Sequence, residues 1–158
     1  MTELDKGLTK KGSGNFFRVI GLPDEKPLFS NEILDFWNPA GGLPGYENGY
    51  DVGLCRIKKP FTYFNRMERH KSSCEILIPI NDDMFVPLAP PGEMPEPDRV
   101  EIVPVKMGEL IVLDAGTWHF AAGPLGRKGL DYFVLLRRGT PEHDLEMRDL
   151  EVSIRLRL

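Results

Sequence analysis

Gly108-Glu-Leu-Ile-Val-Leu-Asp-Ala-Gly-Thr-Trp-His119 decides how this chain is read. An apolar run framed by two glycines and ending on a histidine is a buried strand that leaves through a tight turn, with an imidazole just beyond it. About forty residues earlier stand Glu68-Arg-His70 and Glu75. Side chains two apart in a strand share a face, so Glu68 and His70 point the same way, and Glu75 returns on the partner strand. If the two stretches fold against each other, two imidazoles and two carboxylates meet. That mixed N/O set suits Mn, Fe, Ni, Zn or Co and does not select among them. Taken singly, Glu-Arg-His reads as a solvated face and Trp-His as ordinary core. The chain holds only three histidines, and two of them fall in these stretches, which favours a shared polar cavity.

Outward from this core, Gly and Pro (16 and 14 residues) separate short apolar runs. The pattern predicts strands over 16–20, 50–57, 61–67, 74–80, 84–88, 101–105, 110–113, 118–121, 132–137 and 152–158. Two strand-turn-strand units, 61–80 and 105–121, form the halves of a small barrel. The proline-rich stretch 89–98 joins them as a loop. Helical signals are two: 30–37, capped by Ser30, and 142–150, after Pro141. Many short strands with few helices point to an all-β sandwich or barrel and argue against a doubly wound parallel sheet. The expected organisation is one domain over 1–158, with a flexible tail over 1–14, a loop over 38–49 and a barrel core over 51–139. The alternating segment 152–158 reads as an open antiparallel edge, through which a homodimer is expected, with Arg155 and Arg157 blunting it.

Composition bounds the function. At 158 residues the chain buries a core without needing a disulfide or structural metal. Hydrophobic residues at 41% and charged residues at 28% are those of a globular protein. No apolar run is long enough for a membrane span, and Met1-Thr-Glu-Leu-Asp-Lys6 lacks a signal peptide's apolar core, so a cytoplasmic location without membrane association is expected. Cys55 and Cys74 sit in apolar runs and read as small buried hydrophobes. A net charge of -4 with only short basic pairs argues against a nucleic-acid partner. A small-molecule substrate is the expected partner.

These residues resemble the cupin superfamily. Gly108, Gly116 and His119 match its second motif, with Asp114 where Pro is usual. Glu68-Arg-His70 followed by Glu75 matches its first motif, with Glu68 in place of the first His. The later Asn of the family is replaced by Gly123. Within that superfamily the chain is most similar to the ureidoglycolate lyase family. The similarity rests on Glu68-Arg-His70, Ile78-Pro79, Trp118-His119 followed by Pro124, Leu54-Cys-Arg56, and Asp131 to Gly139 ending in Arg-Gly. It covers about Asp51 to Gly139.

The resemblance implies a cupin-type double-stranded β-helix, or jelly-roll barrel, that cleaves ureidoglycolate to glyoxylate and urea. That chemistry needs a base, a donor to the departing nitrogen and a cation for the carboxylate. On this reading His70, Glu75 and His119 hold a divalent metal, with Glu68 as a further ligand or the proton shuttle. Arg56 or Arg138 forks onto the carboxylate, and Trp118 contacts substrate. Two other classes use the same barrel. A non-catalytic anion- or sugar-binding cupin would stack its ligand on Trp118, Tyr63 or Phe64. A metal-dependent dioxygenase or isomerase would use the same ligands.

Overall fold

The structure is a computed structural model that describes residues 3–9, 14–21, 24–27, 29–30, 35–36, 47–126 and 129–158. Its described strands are β1 (Glu3–Gly7), β2 (Phe17–Ile20), β3 (Phe29–Ser30), β4 (Asp35–Phe36), β5 (Tyr50–Ile57), β6 (Tyr63–Arg69) and β7 (Glu75–Pro79). They continue as β8 (Met84–Ala89), β9 (Glu101–Val105), β10 (Leu110–Leu113), β11 (Trp118–His119), β12 (Gly123–Pro124), β13 (Leu130–Arg137) and β14 (Glu146–Arg157). A single helical turn, α1 (Thr140–His143), and a 3-10 turn, Pro97–Arg99, complete the described elements. Two sheets make the body: one orders β1-β14-β6-β11-β8-β12 with β9 also on β8, the other β2-β10-β7-β13-β5. This is the expected all-β barrel of two facing sheets.

Alternation along the strands builds the core. In β8, Met84, Val86 and Leu88 face Leu77, Ile111, Leu113, Tyr132 and Val134 of the opposite sheet. Phe85 and Ala89, one residue out of phase, join Phe64, Met67, Trp118 and Ile154 on the far face of the larger sheet. With both faces buried, β8 carries an unbroken apolar sequence except at Pro87. The motif glycines are fixed by turns. Gly108 (φ 85°) and Gly116 (φ 83°) occupy the third position of turns closed by Glu109 N–H to Lys106 O (2.9 Å) and Thr117 N–H to Asp114 O (3.1 Å). That position needs positive φ, which glycine adopts without strain. The Gly116 N–H also donates to His70 O at 2.7 Å, tying the two motif stretches together.

Four expectations about local structure are corrected. In the segment 30–37, Ser30, Asp35 and Phe36 are extended, with Phe29 opposite Phe36 and Ser30 opposite Asp35. Residues 31–34 and 37 lie outside the described residues. A helix this short is marginal without a packing face. The helix expected over 142–150 stops at His143, and β14 runs from Glu146 to Arg157, because pairing with β6 buries Leu150, Ile154 and Leu156. The tail expected over 1–14 supplies β1, which pairs in parallel with β14 from Glu3↔Ser153 to Gly7↔Arg157. Its residues 1–2 and 10–13 lie outside the described residues, as do 38–46 of the expected loop. Since β1 covers β14 on one side and β6 on the other, 152–158 is an interior strand, not an open edge. No helix among the described residues is long and apolar enough to cross a membrane.

Candidate functional site

Register brings the site together. His119 on β11 pairs directly with Glu68 on β6 and, on its other side, with Leu88 of β8. Paired residues share a face, so both side chains point between the sheets with Leu88. His70 follows β6, and Glu75 opens β7 in the facing sheet. The imidazole centroids are 5.2 Å apart. His119 Nε2 lies 3.0 Å from Glu75 Oε2 and 3.5 Å from Glu68 Oε1, and His70 Nε2 lies 3.5 Å from Glu75 Oε2. His70, Glu75 and His119 are buried, whereas the Glu68 side chain is 34% exposed and is the member nearest solvent.

Backbone carbonyls set the rings. His70 Nδ1 is 2.7 Å from Asp144 O, and His119 Nδ1 is 3.1 Å from Thr117 O. A carbonyl only accepts, so each Nδ1 carries a proton, which leaves Nε2 as the atom turned to the centre, the arrangement of metal-ligating histidines. Asp144 does a second job: its carboxylate accepts from the Lys71 and Ser72 N–H groups at 2.9 and 2.8 Å. It thereby fixes the turn that separates His70 from Glu75.

The donor set fits a divalent cation. One ligand atom each from Glu68, His70 and His119 lie within 4.8 Å of one another, and Glu75 stands beside this triad. Glu75 Oε2 and His119 Nε2 are buried and lack a partner of hydrogen-bond geometry. Unsatisfied buried polar atoms are costly, and a cation at the centre would satisfy both.

The charges around the metal-free site follow from this crowding. Burial alone would depress the His119 pKa, but the Glu75 charge and the contacts with Glu68 and Glu75 outweigh it and lift it to about 10. The His119 contact holds Glu68 below the ordinary carboxylate value, against the opposing effect of burial. Protonation of His119 therefore stabilises the metal-free fold fully below pH 6.5, and that stabilisation drains as pH climbs through about 10. Glu68 has the opposite sign: its contribution is present above about pH 4.5 and is lost as pH falls through its lowered pKa. The melting temperature of metal-free protein is expected to fall between pH 6.5 and 10, with a flatter slope in His119→Gln, measured by calorimetry across pH.

The four side chains form the floor of a cavity of about 290 Å³. Its walls include Leu77, Ala121, Val134, Leu136, Pro141 and Leu145, with Cys55 and Tyr132 as the other polar side chains. Sequence reasoning missed Cys55, Tyr132 and the α1 residues. The signal for the first two was present: Cys55 and Tyr132 are directly paired, on the face that alternation turns inward.

Three expected substrate contacts lie elsewhere. Arg56 points away from Cys55 and is held by Asp131 in a two-pronged pair at 2.7 and 2.8 Å on the outside of the sheet. Arg138 lines a separate pocket with Ser72 and His143 behind α1. Trp118, one residue from His119, points to the opposite face, fully buried under the Arg69 guanidinium at 4.4 Å. Of the aromatics expected to stack on a sugar, Tyr63 is exposed and Phe64 packs on Phe120 in that same far-face cluster. Neither lines the cavity. Arg56→Gln and Arg138→Gln are accordingly expected to change kcat/KM by less than about threefold in steady-state assays, because neither removes a group from the cavity.

A search of curated protein sequences returns no match. Among solved structures the chain is similar to an oxalate decarboxylase–formate complex from Lactobacillus farciminis, at 12% identity and TM-score 0.46, over 68% of this chain and 27% of that one. It is also similar to a cupin 2 domain-containing protein from Halorhodospira halophila, at 19% identity and TM-score 0.42, over 76% and 74% of the two chains. Vicilin from Corylus avellana (hazelnut) aligns at 14% identity and TM-score 0.44, over 85% of this chain and 32% of its own. The chain thus spans about a quarter of the decarboxylase. A sequence profile of ureidoglycolate lyase matches residues 50–157, which run from the start of β5 to the end of β14. On that match, which takes in well over half of its length, the chain belongs to the ureidoglycolate lyase family.

Proposed function

We propose that this protein is a metal-dependent lyase that breaks the carbon–nitrogen bond of a small hydroxy acid of the ureidoglycolate type, releasing glyoxylate and, from ureidoglycolate itself, urea. The observation that carries this reading is the convergence of Glu68, His70, Glu75 and His119 on the floor of a cavity sized for a small molecule. His70 and His119, with Glu68 and Glu75, would hold the cation, Mn, Fe, Ni, Zn or Co. When bound, it supplies a Lewis acid for the substrate's carboxylate and hydroxyl oxygens. Among the described residues no lysine or arginine lines the cavity.

Glu68 is placed to move the proton. It is ionised at neutral pH and partly open to solvent, beside the imidazoles. As the hydroxyl gives its proton to Glu68, the oxygen's electron pair forms the carbonyl of glyoxylate. The carbon–nitrogen pair leaves on nitrogen, which receives the proton back from Glu68. No water or oxidant is consumed. The test is a urea-release assay on ureidoglycolate with elemental analysis of the same preparation. Metal bound to the chain, with urea production lost on chelation and restored by metal, is expected; metal-replete protein that releases glyoxylate neither from ureidoglycolate nor from any amide analogue of it would overturn the proposal.

A further inference from the structure

We infer that the preferred substrate is an N-acyl-2-hydroxyglycine whose acyl group is a compact hydrocarbon, cleaved to glyoxylate and a primary amide. The inference rests on the lyase reading above and narrows it. Ureidoglycolate ends in an amino group beyond the urea carbonyl, and that end must lie away from the polar floor if its hydroxyl and carboxylate meet Glu68, His70, Glu75 and His119. What it would meet there is apolar: Leu77, Val134, Leu136 and Ala121 on the walls.

The two other polar side chains are neighbours. Tyr132 and Cys55 sit directly opposite each other on β13 and β5, and burial pushes the pKa of both groups up, keeping them neutral. Among the described residues they are the only polar side chains on the walls above the floor. The entrance is apolar as well. Pro141 on α1 and Leu145 just after it stand at the mouth, and Leu145 stays 46% exposed, as a rim that an apolar group would cover. On the inner face of β5, Gly53 stands opposite Val134 with no side chain, which leaves width between β5 and the floor.

A site lined this way leaves buried amino hydrogens unpaired, and hydrocarbon in their place removes that penalty. The chemistry is unchanged. The same carbon–nitrogen bond breaks, the hydroxyl proton ends on the amide nitrogen, and R–CO–NH2 leaves in place of urea.

Because glyoxylate forms from every member of the series, one assay compares ureidoglycolate with the N-acetyl, N-isobutyryl and N-hexanoyl analogues. The N-isobutyryl compound is expected to exceed ureidoglycolate in kcat/KM by at least about tenfold. Leu145→Asn and Val134→Asn are expected to lower that ratio. Independently of turnover, ligand-observed NMR should show isobutyramide binding the protein more tightly than urea, and binding should weaken in Val134→Asn. Ureidoglycolate turned over as well as or better than the acyl series would overturn this inference and leave the lyase reading standing. No glyoxylate from any member in metal-replete protein would remove both.

Discussion

His119→Ala is expected to lower kcat/KM for carbon–nitrogen cleavage by about a thousandfold or more, measured at saturating metal with circular dichroism as the check on folding. The ring is buried, its Nδ1 is held by Thr117 O, and its Nε2 is the atom that contacts both carboxylates. Deleting it removes one donor of the triad and the positive partner of Glu75 together. The same change destabilises the metal-free protein, because a buried carboxylate left without its cation costs about 3–5 kcal/mol. Adding Glu75→Gln removes that stranded charge. The double variant is therefore expected to recover stability towards urea while staying inactive. Equal instability of the single and double variants would show that Glu75 is not the group His119 neutralises.

Trp118→Ala is expected to cost about 3–5 kcal/mol in denaturant unfolding, with metal stoichiometry unchanged in the protein that remains folded. Trp118 is fully buried among Phe85, Ile102, Leu150 and Ile154, donates Nε1–H to Gly92 O at 3.1 Å, and lies under Arg69. Arg69 in turn pairs with Glu146 on β14. The indole therefore joins β11 to the loop after β8 and, through Arg69, to β14. A loss below about 1 kcal/mol would contradict that packing.

Trp118 also shows where sequence reading stops. The Trp118-His119 pair is legible as a unit, and alternation sends one member to each face of the larger sheet, but the sequence does not say which face meets the other sheet. His119 is settled by its pairing with Glu68, a contact between residues about fifty positions apart. Arg56 failed for a related reason. Its strand was read correctly, yet Asp131 on the neighbouring strand captures the guanidinium on the outer face, and such a pair appears only once register is known. Gly108 and Gly116 were readable because their need is local: each turn demands positive φ at that residue. The segment after Pro141 was misread because a helix start was visible there, whereas the ladder with β6 that ends it is non-local. The convergence of Glu68, His70, Glu75 and His119 was anticipated because two short, locally legible strand-turn-strand units carry all four; the expected pairing of Glu75's strand with that of His70 was wrong, since β6 and β7 lie in different sheets that face each other.

Crystals grown with Mn²⁺ and measured for anomalous scattering would locate the cation. One peak per chain is predicted, about 2.0–2.3 Å from His70 Nε2 and His119 Nε2, with carboxylate oxygens of Glu68 or Glu75 completing the set. A map with no peak between these side chains in metal-saturated crystals, or a peak held by other residues, would contradict that placement.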